Sequence, residues 1–549
     1  MGAVRVLVIG DGGFTLAAHS GSSTLGRGGA TPYPWRDRWQ ADGGRQRPGE
    51  GRFMRVWAQS LATGVLVVLV AALATTTVGA SRGNAGASLT AASGESAARP
   101  NVVFVLTDDM RDDDLVHMPI TRRLLVDQGM EFTDAISPHP LCCPARAQLV
   151  TGQYAQNNGV QHNRGPYGGF PALDPTRESS SWFRDAGYQT GFVGKFLNGY
   201  GPGDVEPSGW TRWDALQTGV YDYFDFTMSG DGSARRFTDS YVTEVISRRT
   251  DDLVREFSAT TDPFVVFAWH VAPHYRIARG SGPTVPPPAP QDRRLFEDIH
   301  PVPLSDPAFN EAEISDQPTY FRDRPFVEPA EVAEHHRARL RSLQSVDRAV
   351  GSLIDTLAAT GELEDTYIVF SSDNGYSLGE HRYVGKDKLT RSSLQVPLVV
   401  RGPGIAPGTS SDLPATLVDV PATIAGLAGV SPGWVVDGTS LAPTLEGAAQ
   451  PFRDTTLVQT GSALGDGWGY RGVRTARYLY AVDGADGILY DTEVDPHETV
   501  NRFSDPAYAE VREALDRRRD QLVDCSGWTC NQVFGPLPEP AERPDRGIR

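Results

Sequence analysis

The chain has 549 residues, 40% of them hydrophobic, and a formal net charge of −17, so it can bury one large core or two unequal ones. A chain this acidic lacks the basic footprint of a nucleic-acid-binding protein. Any anionic substrate must therefore be drawn in by a local basic pocket.

Residues 1–53 are rich in Gly and Arg and hold one short apolar run at 4–9. From Met54 the pattern changes to Met54-Arg55-Val56-Trp57, an apolar run over 61–74, and then Val78-Gly79-Ala80. A basic residue, a short apolar stretch and a small-x-small site describe a secretory signal peptide. The run is shorter than the about 20 residues of a membrane span. The expected organisation is an upstream extension over 1–53, translation starting at Met54, a signal peptide over 54–80 and a flexible linker over 81–99. A main domain over 100–438 and a C-terminal subdomain over 439–549 follow. The chain is expected to be secreted or at the cell surface without stable membrane association, an uncleaved anchor at 54–80 being the alternative. Loss of residues 1–80, which contain eight Arg and four acids, leaves a net charge of −21.

The run Asn101-Val102-Val103-Phe104-Val105-Leu106 follows Pro100 and suits a strand buried on both faces. Similar runs lie at 190–193, 264–269, 366–370 and 397–400. Between them the spacing of Leu340, Leu343, Val346, Val350 and Leu353 predicts a helix over 336–360. Strands alternating with helices imply an α/β fold with a mostly parallel central sheet flanked by helices. Polar residues sit where these runs end. Leu106 leads to Asp108-Asp109, Val193 to Gly194-Lys195, Trp269 to His270 and His274, and Phe370 to Ser372-Asp373-Asn374. Ligands of open α/β sheets bind outside the carboxyl ends of the strands, so four such endings define a site. Asp112–Asp114 read as a solvated acidic surface. Residues 280–329, rich in Pro, Asp and Arg, read as a surface excursion that rims the pocket. Beyond about 439, strand signals at 472–482 and 487–489 and a helix at 508–523 give a smaller subdomain with an antiparallel sheet and a closing helix.

Four cysteines form two pairs in sequence. A secreted chain favours oxidised cysteine, and Cys525 and Cys530 are expected to close a small disulfide loop. The adjacent Cys142 and Cys143 rarely bridge each other, because the geometry is strained.

Cys142-Cys143-Pro144-Ala145-Arg146 with Thr151-Gly152 fits Cys-x-Pro-x-Arg followed by Thr-Gly, and resembles the sulfatase signature. The resemblance extends from Asn101 to Cys530. It includes both acidic strand ends, Gly194-Lys195, Ala272-Pro273-His274, Lys386, and Leu489-Tyr490-Asp491 with Asp495-Pro496-His497-Glu498. The double cysteine, Gly194-Lys195-Phe196-Leu197-Asn198 and the Cys525–Cys530 loop are most similar to glucosamine-6-sulfatases and extracellular heparan endosulfatases. The fold so implied is alkaline-phosphatase-like.

That resemblance implies a calcium-dependent sulfuric ester hydrolase. Cys142 would be oxidised to formylglycine by a formylglycine-generating enzyme, with Cys143 in the variable position. A formylglycine hydrate carries two hydroxyls on one carbon. One attacks sulfur, as in other covalent mechanisms, and the second then expels sulfate. Asp108, Asp109, Asp373 and Asn374, with the modified Cys142, would hold the ion through oxygen ligands; no thiol or imidazole set is expected to favour zinc. Arg146, one helical turn after Cys142, would hold the hydrate. Lys195 and Lys386 would clamp sulfate oxygens, and His274 would protonate the departing oxygen. Lys386 also reads as a surface lysine beside Asp387 and Lys388, and His270 as a core histidine.

The implied substrate is a sulfated carbohydrate, foremost a 6-O-sulfated N-acetylglucosamine in a glycan. Asn198 and His381 would meet the sugar, and Arg276 a neighbouring uronate or second sulfate. Ala145 replaces a common serine, and Arg276 and Arg391 depart from the pattern at the rim. Two other readings are a phosphonate or phosphate ester hydrolase of the same superfamily, and a silent carbohydrate-binding protein on the same fold.

Overall fold

In the strand Asn101–Thr107 (β1) every residue is buried, and successive side chains enter opposite cores. Val102, Phe104 and Leu106 join one cluster, Val103 and Val105 the other. That is the period-two alternation of a strand covered on both faces, and it explains the uninterrupted apolar run. The structure is a computed structural model that describes residues 99–541, apart from 231, 465 and 466. The expected extension, signal peptide and all but the last residue of the linker lie outside the described residues.

The central sheet has ten strands. After β1 come Met130–Phe132 (β2), Gln189–Gly194 (β3), Arg212–Thr218 (β4), Phe226–Gly230 (β5), Ser233–Phe237 (β6) and Phe264–Trp269 (β7). Thr366–Ser372 (β8), Leu398–Arg401 (β9) and Thr409–Ser411 (β10) complete it. The order is β10-β2-β9-β8-β1-β7-β3-β4-β5-β6. The central run β8-β1-β7-β3-β4 is parallel, while β9 and the β5–β6 edge are antiparallel. In register, Leu106 lies opposite both Ser371 and Trp269, and Trp269 opposite Gly194. The four strands with polar endings are thus adjacent, and they end level with one another.

Helices cover both faces. Cys142–Thr151 (α1) and Asp419–Leu427 lie in one core. The helices Val242–Phe257 and Pro329–Thr360 lie in the other, the second through Leu343, Val346, Val350, Leu353 and Leu357. The long helix starts with Pro329 at its first position and stops at Gly361, whose φ of 83° suits glycine. Among the described residues no helix is long and apolar enough to cross a membrane.

The C-terminal sheet is a four-stranded antiparallel meander: Thr456–Gly461, Trp468–Arg474, Tyr478–Asp483 and Asp486–Asp491. The helix Ala509–Leu522 packs on it through Val511, Leu515 and Leu522. Cys525 and Cys530 are disulfide-bonded, and both Cys142 and Cys143 are free thiols. Asp437 accepts the Tyr154 and Gly527 N–H groups at 2.7 and 2.8 Å, and so links the disulfide loop to the segment after α1.

One acidic stretch differs from expectation. Asp112–His117 forms a short 3-10 turn that points Asp114 inward, where it is fully buried. It pairs with His336 Nε2 at 3.3 Å and Arg339 at 3.5 Å. Burial opposes its ionisation, but His336 and Arg339 outweigh that and hold its carboxyl low. Three successive acids read as surface in sequence because nothing local shows the His336 and Arg339 partners on a distant helix.

Candidate active site

The β3 end is shaped by Gly194. Its φ is 117°, and a Cβ there would lie 1.9 Å from Trp269 O, so only glycine allows the two strand ends to approach. Lys195 N–H donates to Trp269 O at 2.9 Å, His270 N–H to Leu106 O at 2.8 Å, and Asp373 N–H to Thr107 O at 3.1 Å. These backbone bonds extend the ladder by one residue and deliver the side chains together.

Cys142 is the first residue of α1, fully buried, with its Sγ 2.7 Å from Lys386 Nζ and 3.5 Å from Asp108 Oδ1. Arg146, one turn on, is also fully buried. It donates from Nε to Asp373 Oδ2 at 2.8 Å and from Nη1 to Lys195 O at 2.6 Å. Lys195 pairs with Asp108 Oδ2, and Lys386 with Asp109 Oδ1. Asn374 donates to Asp109 Oδ1 at 2.8 Å, and the Asp109 N–H donates to Asp373 Oδ1 at 3.0 Å. Asp109 has a φ of 72°, a strained value for a non-glycine residue. Its backbone is held from both sides, because Arg339 donates to its carbonyl.

Three buried carboxylates thus face three buried cations. Burial alone would raise the Asp108 carboxyl, but Lys195, His274 and Arg146 pull it to about 2. Burial likewise opposes charge on Lys195, and Asp108 more than reverses that. The Cys142 thiol is pushed up by burial and by Asp108. Burial lowers His274 to about 4 against the opposing pull of Asp108 and Asp109. His274 Nδ1 donates to Tyr275 O at 2.7 Å, which leaves Nε2 facing Asp109 Oδ2 at 3.8 Å. His270 is buried, with its ring held neutral by that burial, at about 3.

Asp108, Asp109, Cys142 and His274 offer ligand atoms that all lie within 4.8 Å of one another. Asp109 Oδ2 and Asn374 Oδ1 are buried without a hydrogen-bond partner among the described residues. Bare oxygens of this kind fit a hard cation. Both oxygens of Asp373 are engaged, by Arg146 and by the Asp109 N–H. The expectation that no thiol or imidazole accompanies the carboxylates is overturned, since Cys142 and His274 stand in the same cluster. Their proximity arises from separate strands and a helix, which spacing alone does not disclose.

The nine residues expected at the centre therefore come together: Asp108, Asp109, Cys142, Arg146, Lys195, His274, Asp373, Asn374 and Lys386. Asn198 lies beside them, its N–H donating to Cys143 Sγ at 3.1 Å. Two residues expected at the sugar stand differently. Arg276 donates from Nε and Nη2 to Asp222 Oδ1 at 3.0 and 2.8 Å, so its guanidinium is engaged within the protein. His381 is buried, paired with Glu311 at 2.7 Å and stacked on Phe321. Glu311 belongs to the excursion at 280–329, which thus packs onto the 377–385 hairpin. Arg391 donates its N–H to Glu498 Oε2 at 2.9 Å, beside a cavity of about 150 Å³ shared with His381 and His497. Tyr221 and Tyr275 were not singled out by sequence; both flank His274, and no pattern in an aromatic run distinguishes a site ring from a core ring.

The sulfatase family model matches residues 100–430, and a model described as N-sulphoglucosamine sulphohydrolase, C-terminal, matches residues 379–524. The N-acetylglucosamine-6-sulfatase of Homo sapiens is 31% identical over 515 residues, covering 80% of this chain and 87% of that protein. An extracellular sulfatase homologue of Drosophila melanogaster is 32% identical over 374 residues, 65% of this chain and 32% of that protein. A structure solved in complex with its substrate D-glucosamine-2-N,6-O-disulfate superposes with a TM-score of 0.64 at 22% identity, covering 77% of this chain and 97% of that one. With the strand ends, the Cys142–Thr151 helix and the family model in agreement, the chain belongs to the sulfatase family and is a sulfate ester hydrolase.

Proposed function

We propose that this protein releases inorganic sulfate from a 6-O-sulfated N-acetylglucosamine, or a related sulfated amino sugar, within a glycan. The observation that carries the reaction class is Cys142 at the start of α1, held between Lys386 and Asp108 with Arg146 one turn behind. The sugar is supported by the N-acetylglucosamine-6-sulfatase relatives and by the fold shared with a protein that takes a disulfated glucosamine. Secretion is supported by the extracellular sulfatase relatives and the signal-like pattern at 54–80.

Formylglycine at position 142 supplies a hydrated aldehyde, a nucleophile that regenerates after each turnover. Asp108, Asp109, Asp373 and Asn374 would hold a calcium ion, which would supply positive charge to polarise the sulfate. The chain's own side chains do the rest. Lys386, beside Cys142 Sγ, and Lys195, paired with Asp108, neutralise sulfate oxygens from fixed positions, which lowers the barrier most in a water-excluded site. Arg146, locked by Asp373 and Lys195 O, adds a further fixed positive charge. His274 presents Nε2 to the cluster and is placed to protonate the departing sugar oxygen. Its donating, charged form arises with the sulfate's negative charge beside it.

The test is a panel of sulfated monosaccharides, glycosaminoglycan oligosaccharides, aryl sulfates and aryl phosphates, assayed for free sulfate or phosphate. Sulfate release highest on 6-O-sulfated N-acetylglucosamine is expected. Turnover of aryl sulfates with none from any sulfated amino sugar contradicts the substrate, and faster release of phosphate than sulfate contradicts the reaction class.

A further inference from the structure

Tyr221, in the loop after β4, touches three residues of the site at once. Its ring stacks on His274, with centroids 4.1 Å apart and planes inclined by 19°. Lys195 Nζ sits over the same ring at 4.7 Å from its centroid. The hydroxyl donates to Asn198 Oδ1 at 2.7 Å.

The loop that carries it is braced against the segment that carries His274. Ile277 N–H donates to Tyr221 O at 3.0 Å, Tyr223 donates its hydroxyl proton to His274 O at 2.6 Å, and Arg276 pairs with Asp222 at 2.8 Å. The two segments therefore hold one arrangement, with Arg276 fastening it.

We propose that Tyr221 is the positioning residue for the substrate-facing side of the sulfate pocket, and that it turns Asn198 into a hydrogen-bond donor toward the sugar. This inference rests on the sulfatase reading above and specifies its sugar side. A lysine ammonium has three rotatable donors on a flexible stem. With Asp108 on one side and the Tyr221 ring face on another, Lys195 is confined to one direction. The imidazole of His274 is held flat by stacking while Nδ1 is tied to Tyr275 O, so Nε2 stays turned to the cluster. Asn198 has one acceptor and two amide donors. With the carbonyl oxygen taking the Tyr221 proton and the backbone N–H tied to Cys143, the amide NH₂ is the group left to offer. The substrate group that meets Asn198 is accordingly an acceptor, such as the carbonyl of an N-acyl group or a sulfate oxygen, and not an unsubstituted ammonium.

Steady-state kinetics on 6-sulfated N-acetylglucosamine test this with Tyr221→Phe, Tyr221→Leu and Asn198→Ala, singly and in combination. Tyr221→Phe keeps the ring and loses one hydrogen bond, so KM should rise about three- to tenfold with kcat within about twofold of wild type. Tyr221→Leu removes the ring from Lys195 and His274 as well, and kcat should fall by a further factor of about ten or more. The conservative variant thus rescues kcat. In the Asn198→Ala background, Tyr221→Phe should raise KM no further, because the bond it breaks is already gone. That cycle stands even if Tyr221→Leu fails to fold. Additive KM effects in the cycle, or equal kinetics for Phe and Leu at position 221, overturn the inference alone. Wild-type protein that releases no sulfate from this substrate overturns the sulfatase-substrate reading first, and the inference with it.

Discussion

Cys142 Sγ meets Lys386 Nζ at 2.7 Å, whereas Cys143 Sγ accepts the Asn198 N–H at 3.1 Å and the Cys143 N–H donates to Asn163 Oδ1 at 2.8 Å. One thiol faces the charged cluster, and the other braces the loop that presents Asn198. The two substitutions should therefore differ. Cys142→Ala is expected to abolish turnover, and Cys142→Ser to stop at a covalently sulfated enzyme, since serine lacks the second hydroxyl. Cys143→Ala loses a weak sulfur acceptor and should keep a substantial part of kcat, with most of its cost in KM. Sulfate-release kinetics and intact mass after substrate exposure check all three, and equal loss at both cysteines means the nucleophile is misassigned. The sequence offers this assignment through its resemblance to the sulfatase signature, and the helix puts Cys142 and Arg146 one turn apart. It did not show that Arg276 and His381 are engaged by Asp222 and Glu311, because those partners lie 54 and 70 residues away in sequence.

The strands carry the site, and the elements around them carry its stability. Glu178, just before the helix Ser180–Asp185, is fully buried, and its donor is Trp210 Nε1 at 2.9 Å. Burial pushes its carboxyl up to about 8, against a smaller lowering by Trp210. An acid with a raised folded-state pKa binds its proton more tightly when folded. Stability is then greatest below the carboxyl's ordinary value of 4.5 and declines as pH rises from there toward about 8. The slope in that window approaches about 1.4 kcal/mol per pH unit. Glu178→Gln keeps an acceptor for Trp210 and removes the titration. It should raise the Tm at pH 8 and leave it little changed near pH 4.5, as thermal melts across pH would show; an unchanged pH profile contradicts this. The parallel strands at 101–107, 189–194, 264–269 and 366–372 were legible because burial on both faces writes an unbroken apolar run. The edge strand Ser233–Phe237 was not, since four of its five residues are exposed. Arg212–Thr218, with Arg212 and Asp214 interrupting its apolar residues, reads as a strand only once β3 and β5 pair with it.

At the scale of the whole molecule, a chain of net charge −17 keeps an anion-binding centre by burying three cations against three carboxylates. A divalent ion bound only by the folded state adds stability. Chelation should therefore lower both sulfate release and the Tm, and calcium should restore both. Because Cys142 and His274 stand with the carboxylates, protein left unconverted at position 142 should take up more zinc than converted protein, as metal analysis of the two forms would show. Full zinc occupancy without calcium in converted protein contradicts the calcium reading.

The group at position 142 decides the chemistry. The most direct test is the mass of the peptide spanning Cys142 and Cys143, isolated from sulfate-releasing protein made beside a formylglycine-generating enzyme. An aldehyde at 142 with an intact thiol at 143 is predicted. A peptide that carries unmodified cysteine at 142 throughout a fully active preparation would contradict it.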